Sequence, residues 1–99
     1  MSAQAAKLLR EHFEEVVDIG AQRTRDEIPQ YRTVSLEQLR PSVTAGFGSV
    51  LADLEHPPYR QYRKVFADIS YRRARQGFEI MNLTAVVDLT EDILYQLIG

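Results

Sequence analysis

The 99-residue sequence has no cysteine and no tryptophan. That excludes disulfides, thiol catalysis and cysteine-bound zinc or iron–sulfur clusters, and it fits a reducing cytoplasm. Long apolar runs are missing too: Ala85-Val86-Val87 is typical, against the roughly 20 residues that a membrane span requires. Met1-Ser2-Ala3-Gln4-Ala5-Ala6-Lys7 runs directly into an amphipathic pattern without the apolar stretch of a secretory signal. The expected location is therefore cytoplasmic, with no membrane partner. An excess of positive charge is also lacking. Twelve Lys and Arg against fourteen Asp and Glu leave a net charge of −2, so direct nucleic-acid binding is not expected. No segment alternates apolar and polar residues, and hairpin dipeptides such as Asn-Gly do not occur, which argues against β-structure. At this length one core can form but not two, so residues 1–99 are expected to make a single helical domain.

What the sequence does have is helical periodicity. Ala5, Leu8, Leu9, Phe13, Val16 and Val17 recur at three- and four-residue spacing, and Gly20, Ala21, Thr24 and Ile28 continue the phase. This predicts one long first helix that Gly20 could bend. Pro29 lacks an amide donor and restricts Ile28, so the helix should end near Glu27. Ser35-Leu36-Glu37-Gln38 has the form of a capping box opening a helix at Leu36. Pro41 suggests a short turn there and a fresh helix start. Val43, Phe47, Val50, Leu51 and Leu54 then form a stripe, with Gly46 and Gly48 as places where another helix could approach. His56-Pro57-Pro58 ends that element, and Pro58 is placed to open the next.

The inward positions of that next helix are Tyr59, Tyr62, Val65, Phe66, Ile69 and Arg73 or Gln76. Gly77 is its expected C-terminal turn residue, with Phe78 folding back on the last turn in a Schellman arrangement. A final helix over 79–97 carries the stripe Ile80, Leu83, Val86, Val87, Thr90, Ile93, Leu94 and Leu97. The expected architecture is all-α, a bundle of four to five helices for which a globin-like arrangement is one form. Truncating Phe66 or Leu94 should unfold such a bundle.

Candidate chemistry is sparse. His12 lies beside the first stripe and His56 in a loop, and neither has a second histidine three or four residues away. A metal or haem ligand set is not expected from them, and no cofactor is. Glu11, Glu14 and Glu15, and Asp88, Glu91 and Asp92, fall on polar, solvated faces without the water-excluded pocket that acid–base chemistry uses. With no nucleophile–base set or phosphate-cradling loop, an enzyme is the least supported class. Charge placement is more informative. Residues 59–77 hold Arg60, Arg63, Lys64, Arg72, Arg73 and Arg75 against Asp68 alone, leaving six basic against thirteen acidic residues elsewhere. Such polarity suits self-association or an acidic partner. Arg72, Arg73 and Arg75 are candidates for ion-pair or partner contacts. Successive helical positions turn by about 100°, so one of Arg73 and Arg75 should lie against the core or the helix end. Tyr31, Tyr59, Tyr62, Tyr71 and Tyr95 could line a small pocket or an interface, although tyrosines held by one hydrogen bond are the commoner case.

Three segments together carry a family resemblance: Glu27-Ile28-Pro29-Gln30-Tyr31-Arg32, then Ser35-Leu36-Glu37-Gln38-Leu39-Arg40, then Arg72-Arg73-Ala74-Arg75-Gln76-Gly77-Phe78 before the last apolar helix. In this arrangement the chain resembles the N-terminal sensory domains of the RsbT co-antagonists, the RsbRD type related to the non-haem globin-like sensors of stressosome proteins. The resemblance implies a non-enzymatic input module in bacterial stress-response or transcriptional signalling. It implies a homodimer that passes a signal to a C-terminal output region, commonly a STAS domain or a DNA-binding region, or to a signalling partner. It implies no haem, and it places Gly77 at the turn between the last two helices. On this expectation the 99 residues stand alone or form the N-terminal part of a longer signalling protein. The alternatives are a small-molecule- or haem-binding globin-like sensor or carrier, and a protein–protein adaptor.

Overall fold

The computed structural model describes residues 2–56 and 60–99. Within them are five α-helices, α1 (Ser2–Glu11), α2 (Phe13–Glu27), α3 (Leu36–Glu55), α4 (Gln61–Arg75) and α5 (Ile80–Ile98), a 3-10 turn at Pro29–Tyr31, and no strand. The all-α expectation holds. The predicted helix start at Pro58 and the inward placement of Tyr59 lie outside the described residues.

The first two helices follow one stripe, but the interruption falls at His12 (φ −107°, ψ 18°) rather than at Gly20. Backbone bonds from His12 N–H to Leu8 O (3.1 Å) and from Val16 N–H to His12 O (2.9 Å) carry the chain through the junction. Gly20 stays helical because it is buried against α3, where an added Cβ would stand 2.9 Å from both Phe47 Cε2 and Val43 Cγ1. The close helix–helix approach is thus at Gly20. A Cβ at Gly46 would meet nothing within 4 Å, and one at Gly48 would lie 3.9 Å from Phe13 Cζ. α2 ends at Glu27 as expected, with Ile28 extended (φ −109°, ψ 114°) ahead of Pro29.

α3 opens with the capping box: Gln38 N–H donates to Ser35 Oγ (3.2 Å) and Ser35 N–H to Gln38 Oε1 (3.3 Å). The fresh start expected at Pro41 does not occur. Pro41 lies inside one continuous helix, where its missing amide leaves only the carbonyl of Glu37, an exposed residue in the first turn, without its helical donor. α4 is tethered at its N-terminus by Asp53 of α3, whose carboxylate accepts from Gln61 N–H (2.7 Å) and Tyr62 N–H (3.0 Å). At its other end Gly77 takes φ +93°. Phe78 N–H bonds Arg73 O (3.0 Å) and Gly77 N–H bonds Ala74 O (3.0 Å), the two bonds of a Schellman turn.

Leu9, Val17 and Leu39 are the largest fully buried side chains, and they join Val16, Ala21, Ile28, Tyr31, Phe47, Leu89 and Ile93 in one core. Each large aliphatic buried there contributes about 1.5–3 kcal/mol. α4 contributes no fully buried residue. Its Tyr62, Val65, Phe66, Ile69 and Arg73 are half-buried and Gln76 is exposed. Leu94 packs against the core from its edge. Ile80 leaves the predicted stripe and is 77% exposed. It is the first residue of α5, where Asn82, outside the predicted stripe, faces inward beside Leu83, which the stripe includes.

Candidate functional site

α2, the 3-10 turn, α3, α4 and α5 line a partly open cavity of about 50 Å³. Its walls are mainly apolar, with Leu39, Val43 and Phe47 from α3 facing Phe66 and Ile69 from α4, and Leu89 and Ile93 closing the α5 side. Hydroxyls of Thr24, Tyr31, Ser42, Tyr62 and Thr90 punctuate these walls, and Arg73 is the sole charged residue among the described residues that line it. No carboxylate or histidine of the described residues joins them. The arrangement can therefore bind and orient a molecule, and it offers no general base.

Arg73 is held at one end of the cavity. Its Nη1 donates to Gln76 Oε1 (3.1 Å) and its Nη2 to Ser42 Oγ (3.2 Å). Its guanidinium carbon lies 5.9 Å from the ring centroids of both Tyr31 and Phe78, and those rings meet at 4.8 Å. This is a cation between two aromatic faces, yet no carboxylate of the described residues lies within ion-pair distance of it. Its Nε is buried and has no hydrogen-bond partner among the described residues. Tyr62 Oη, also on the cavity wall, is buried and unpartnered in the same way, as is Ser70 Oγ, which does not line the cavity. Burial pushes the Tyr31 phenol above its ordinary pKa, an effect opposed by the nearby Arg73 guanidinium, which supplies both a positive charge and a hydrogen-bond donor. Burial likewise raises Tyr62, an effect the neighbouring Thr90 hydroxyl opposes.

Of the other candidate residues, Arg72 is exposed and Arg75 lies over the ring of Tyr71 at 5.8 Å from its centroid. Neither has a carboxylate partner among the described residues. Gly77 sits at the Schellman turn, away from the cavity lining. His12 bonds Glu15 Oε2 through Nδ1 at 3.0 Å, His56 is exposed, and neither lines the cavity. The acidic surface is occupied by other cations. Arg40 pairs with Asp18 and with Glu14 (3.0 Å), Arg10 with Glu55, and Arg23 with Glu27 (2.6 Å) and Asp92 (2.8 Å). The Arg23 guanidinium holds Glu27 below the usual carboxylate range.

Two residues that organise the site escape composition and periodicity. Gln30 Oε1 accepts from Glu79 N–H (2.8 Å) and from Asn82 Nδ2 (2.6 Å), while its Nε2 donates to Gly77 O (3.3 Å). It therefore joins the 3-10 turn to the corner between α4 and α5. Asp53 fixes the opposite end of α4. Gln30 falls inside the Glu27–Arg32 segment that carries the family resemblance, and that was its one signal.

A family model described as the RsbT co-antagonist protein rsbRD N-terminal domain matches residues 5–99. No curated protein and no solved structure matches the chain. With nearly all of its length matched, the chain belongs to the RsbT co-antagonist N-terminal domain family, a regulatory family of stressosome-type signalling sensors. Among the described residues no helix is long and apolar enough to cross a membrane.

Proposed function

We propose that the chain is a non-enzymatic sensory and dimerisation module of bacterial stress-response or transcriptional signalling, passing its signal to an output domain or partner in the cytoplasm. The observation that carries this reading is the family match across residues 5–99. The surface supports the dimer. Six large hydrophobic residues are exposed among the described residues, and four of them, Ile80, Met81, Tyr95 and Ile98, lie on α5. Ile80 and Ile98 are eighteen residues apart, five helical turns at 3.6 residues per turn, so they fall on one line of α5 with Met81 and Tyr95 beside it. An apolar line of this kind suits packing against a second helix. Size-exclusion chromatography with light scattering tests it. The wild type should elute as a dimer and a Tyr95→Glu/Ile98→Glu variant as a monomer. The variant should keep the helical circular dichroism signal of the wild type, so that loss of the dimer is separated from loss of the fold, while its Tm loses the concentration dependence that association confers. A wild-type monomer at all concentrations overturns the dimer.

A second contact surface is favoured by the unpaired charge of α4. Arg63, Lys64, Arg72 and Arg75 are exposed and have no ion-pair partner among the described residues, so we assign Arg72 and Arg75 to an acidic signalling partner. Association through this face should weaken as salt rises, because exposed charges are screened beyond about 8 Å at physiological ionic strength.

A further inference from the structure

We propose that the cavity is a binding site for a small aliphatic monocarboxylate, its carboxylate on Arg73 and its alkyl part against Ile69, Val43 and Leu39. This deepens the sensory reading and rests on it for physiological meaning, although binding itself does not depend on that reading. Three observations converge. Arg73 is a half-buried cation whose two terminal nitrogens bond neutral oxygens, Gln76 Oε1 and Ser42 Oγ, so nothing among the described residues balances its charge. Its Nε–H is buried without a partner, and a buried donor left unpaired is costly until an acceptor reaches it. A carboxylate supplies both the missing acceptor and the missing charge, in a charge-assisted bond of the stronger kind.

Size and wall chemistry then select the ligand. The cavity is partly open, and its volume of about 50 Å³ is a third of the roughly 150 Å³ that takes up benzene, room for the one or two alkyl carbons of acetate or propionate with the carboxylate at the rim on half-buried Arg73. A bare inorganic anion would leave the apolar walls without contacts, and an alcohol of the same shape would leave Arg73 uncompensated. Tyr62 and Arg73 are eleven residues apart on one helix, about 16 Å along its axis. A ligand of this size therefore serves the Arg73 end alone. Ser42 and Gln76 hold the guanidinium in place, so the Nε donor is already fixed before the ligand arrives.

The test is an amide NMR titration of the intact chain with sodium propionate, run beside sodium chloride at equal ionic strength and beside 1-propanol. Propionate should give saturable shifts around Ser42, Ile69 and Arg73, with a Kd on the order of 1 mM for so small a ligand. Arg73→Gln and, independently, the cavity-filling Ile69→Phe should each weaken binding at least tenfold. Equal shifts with chloride or with propanol overturn the proposal, as does unchanged binding in folded Arg73→Gln. Should Arg73→Gln fail to fold, Ile69→Phe decides: retained affinity there removes the cavity as the site. Light scattering on the same samples separates this proposal from the dimer reading. A dimer that ignores propionate overturns the ligand site alone, and propionate binding to a persistent monomer supports the site while overturning the dimer.

Discussion

Alanine at Gly20 and alanine at Gly46 should shift stability in opposite directions. Both glycines lie inside helices, where replacement by alanine is worth about 1 kcal/mol through backbone entropy alone. At Gly46 nothing opposes that gain, since an added Cβ has no atom within 4 Å. At Gly20 the new carbon would stand 2.9 Å from Phe47 Cε2 and 2.9 Å from Val43 Cγ1, well inside the carbon–carbon optimum of roughly 3.5–4 Å. Phe47 is 2% exposed and its ring has no free path to solvent. Overpacking of this sort costs about 1–3 kcal/mol. Set against the helix gain, Gly20→Ala should lose up to about 2 kcal/mol.

For a domain of this size 1 kcal/mol moves Tm by about 4–8 °C. Thermal melts followed by circular dichroism should therefore show Gly46→Ala rising by that amount and Gly20→Ala falling. Phe47 and Val43 also wall the cavity, so any relaxation around the added methyl group pushes them into it, and the Gly20→Ala variant should bind propionate more weakly. A rise in Tm for both variants would refute the close packing of α2 on α3 at Gly20. A fall for both would show that the space around Gly46 is filled, which also contradicts the cavity's extent.

Ser35→Ala removes the acceptor of the capping box and should cost about 1 kcal/mol by chemical denaturation; an unchanged midpoint would mean that α3 does not depend on this cap. Gln30→Ala strips the partners from buried Asn82 and from Glu79 N–H and should cost about 1–3 kcal/mol, read in the same assay. Because burial raises the Tyr62 pKa, the folded state holds that phenolic proton more tightly than the unfolded chain. The resulting stability is whole below the ordinary value of about 10 and is lost as pH rises through the raised value. Tyr62→Phe should therefore lose less Tm than the wild type between neutral pH and pH values above about 10. α4 buries no residue fully, so its amides should exchange with deuterium faster than those of α2, local opening being easiest where little apolar surface is locked in. Equal protection along both helices would count against α4 as the less firmly packed of the two.

The parts of the fold legible in the sequence are those written in local rules. Helical periodicity, the Ser35–Gln38 box, the Pro29 boundary and the Gly77 turn each depend on residues within a few positions, and all four stand in the structure. Periodicity does not say which face of a helix meets which neighbour. It therefore suggests close approach at Gly46 and Gly48, when the contact belongs to Gly20, and it keeps Ile80 in the α5 stripe while leaving out Asn82, which faces inward. The Pro41 error has the same origin: proline's local cost is visible in the sequence, while the exposure of Glu37, whose carbonyl it strands, is not.

The candidate site is harder to see because no segment contains it. Its walls come from five elements, and its two organising ties, Gln30 to Glu79 and Asp53 to Gln61, join positions that chain pattern treats as unrelated. The basic cluster does predict that one arginine of the Arg73 and Arg75 pair turns toward the core or the helix end. The choice of Arg73 follows from the Schellman turn, which brings Phe78 back over the last turn of α4 and closes an aromatic seat with Tyr31. That seat accommodates a cation and supplies no carboxylate. The same local signal that ends α4 thus also leaves an uncompensated charge beside an apolar cavity, and the ligand argument starts from that charge.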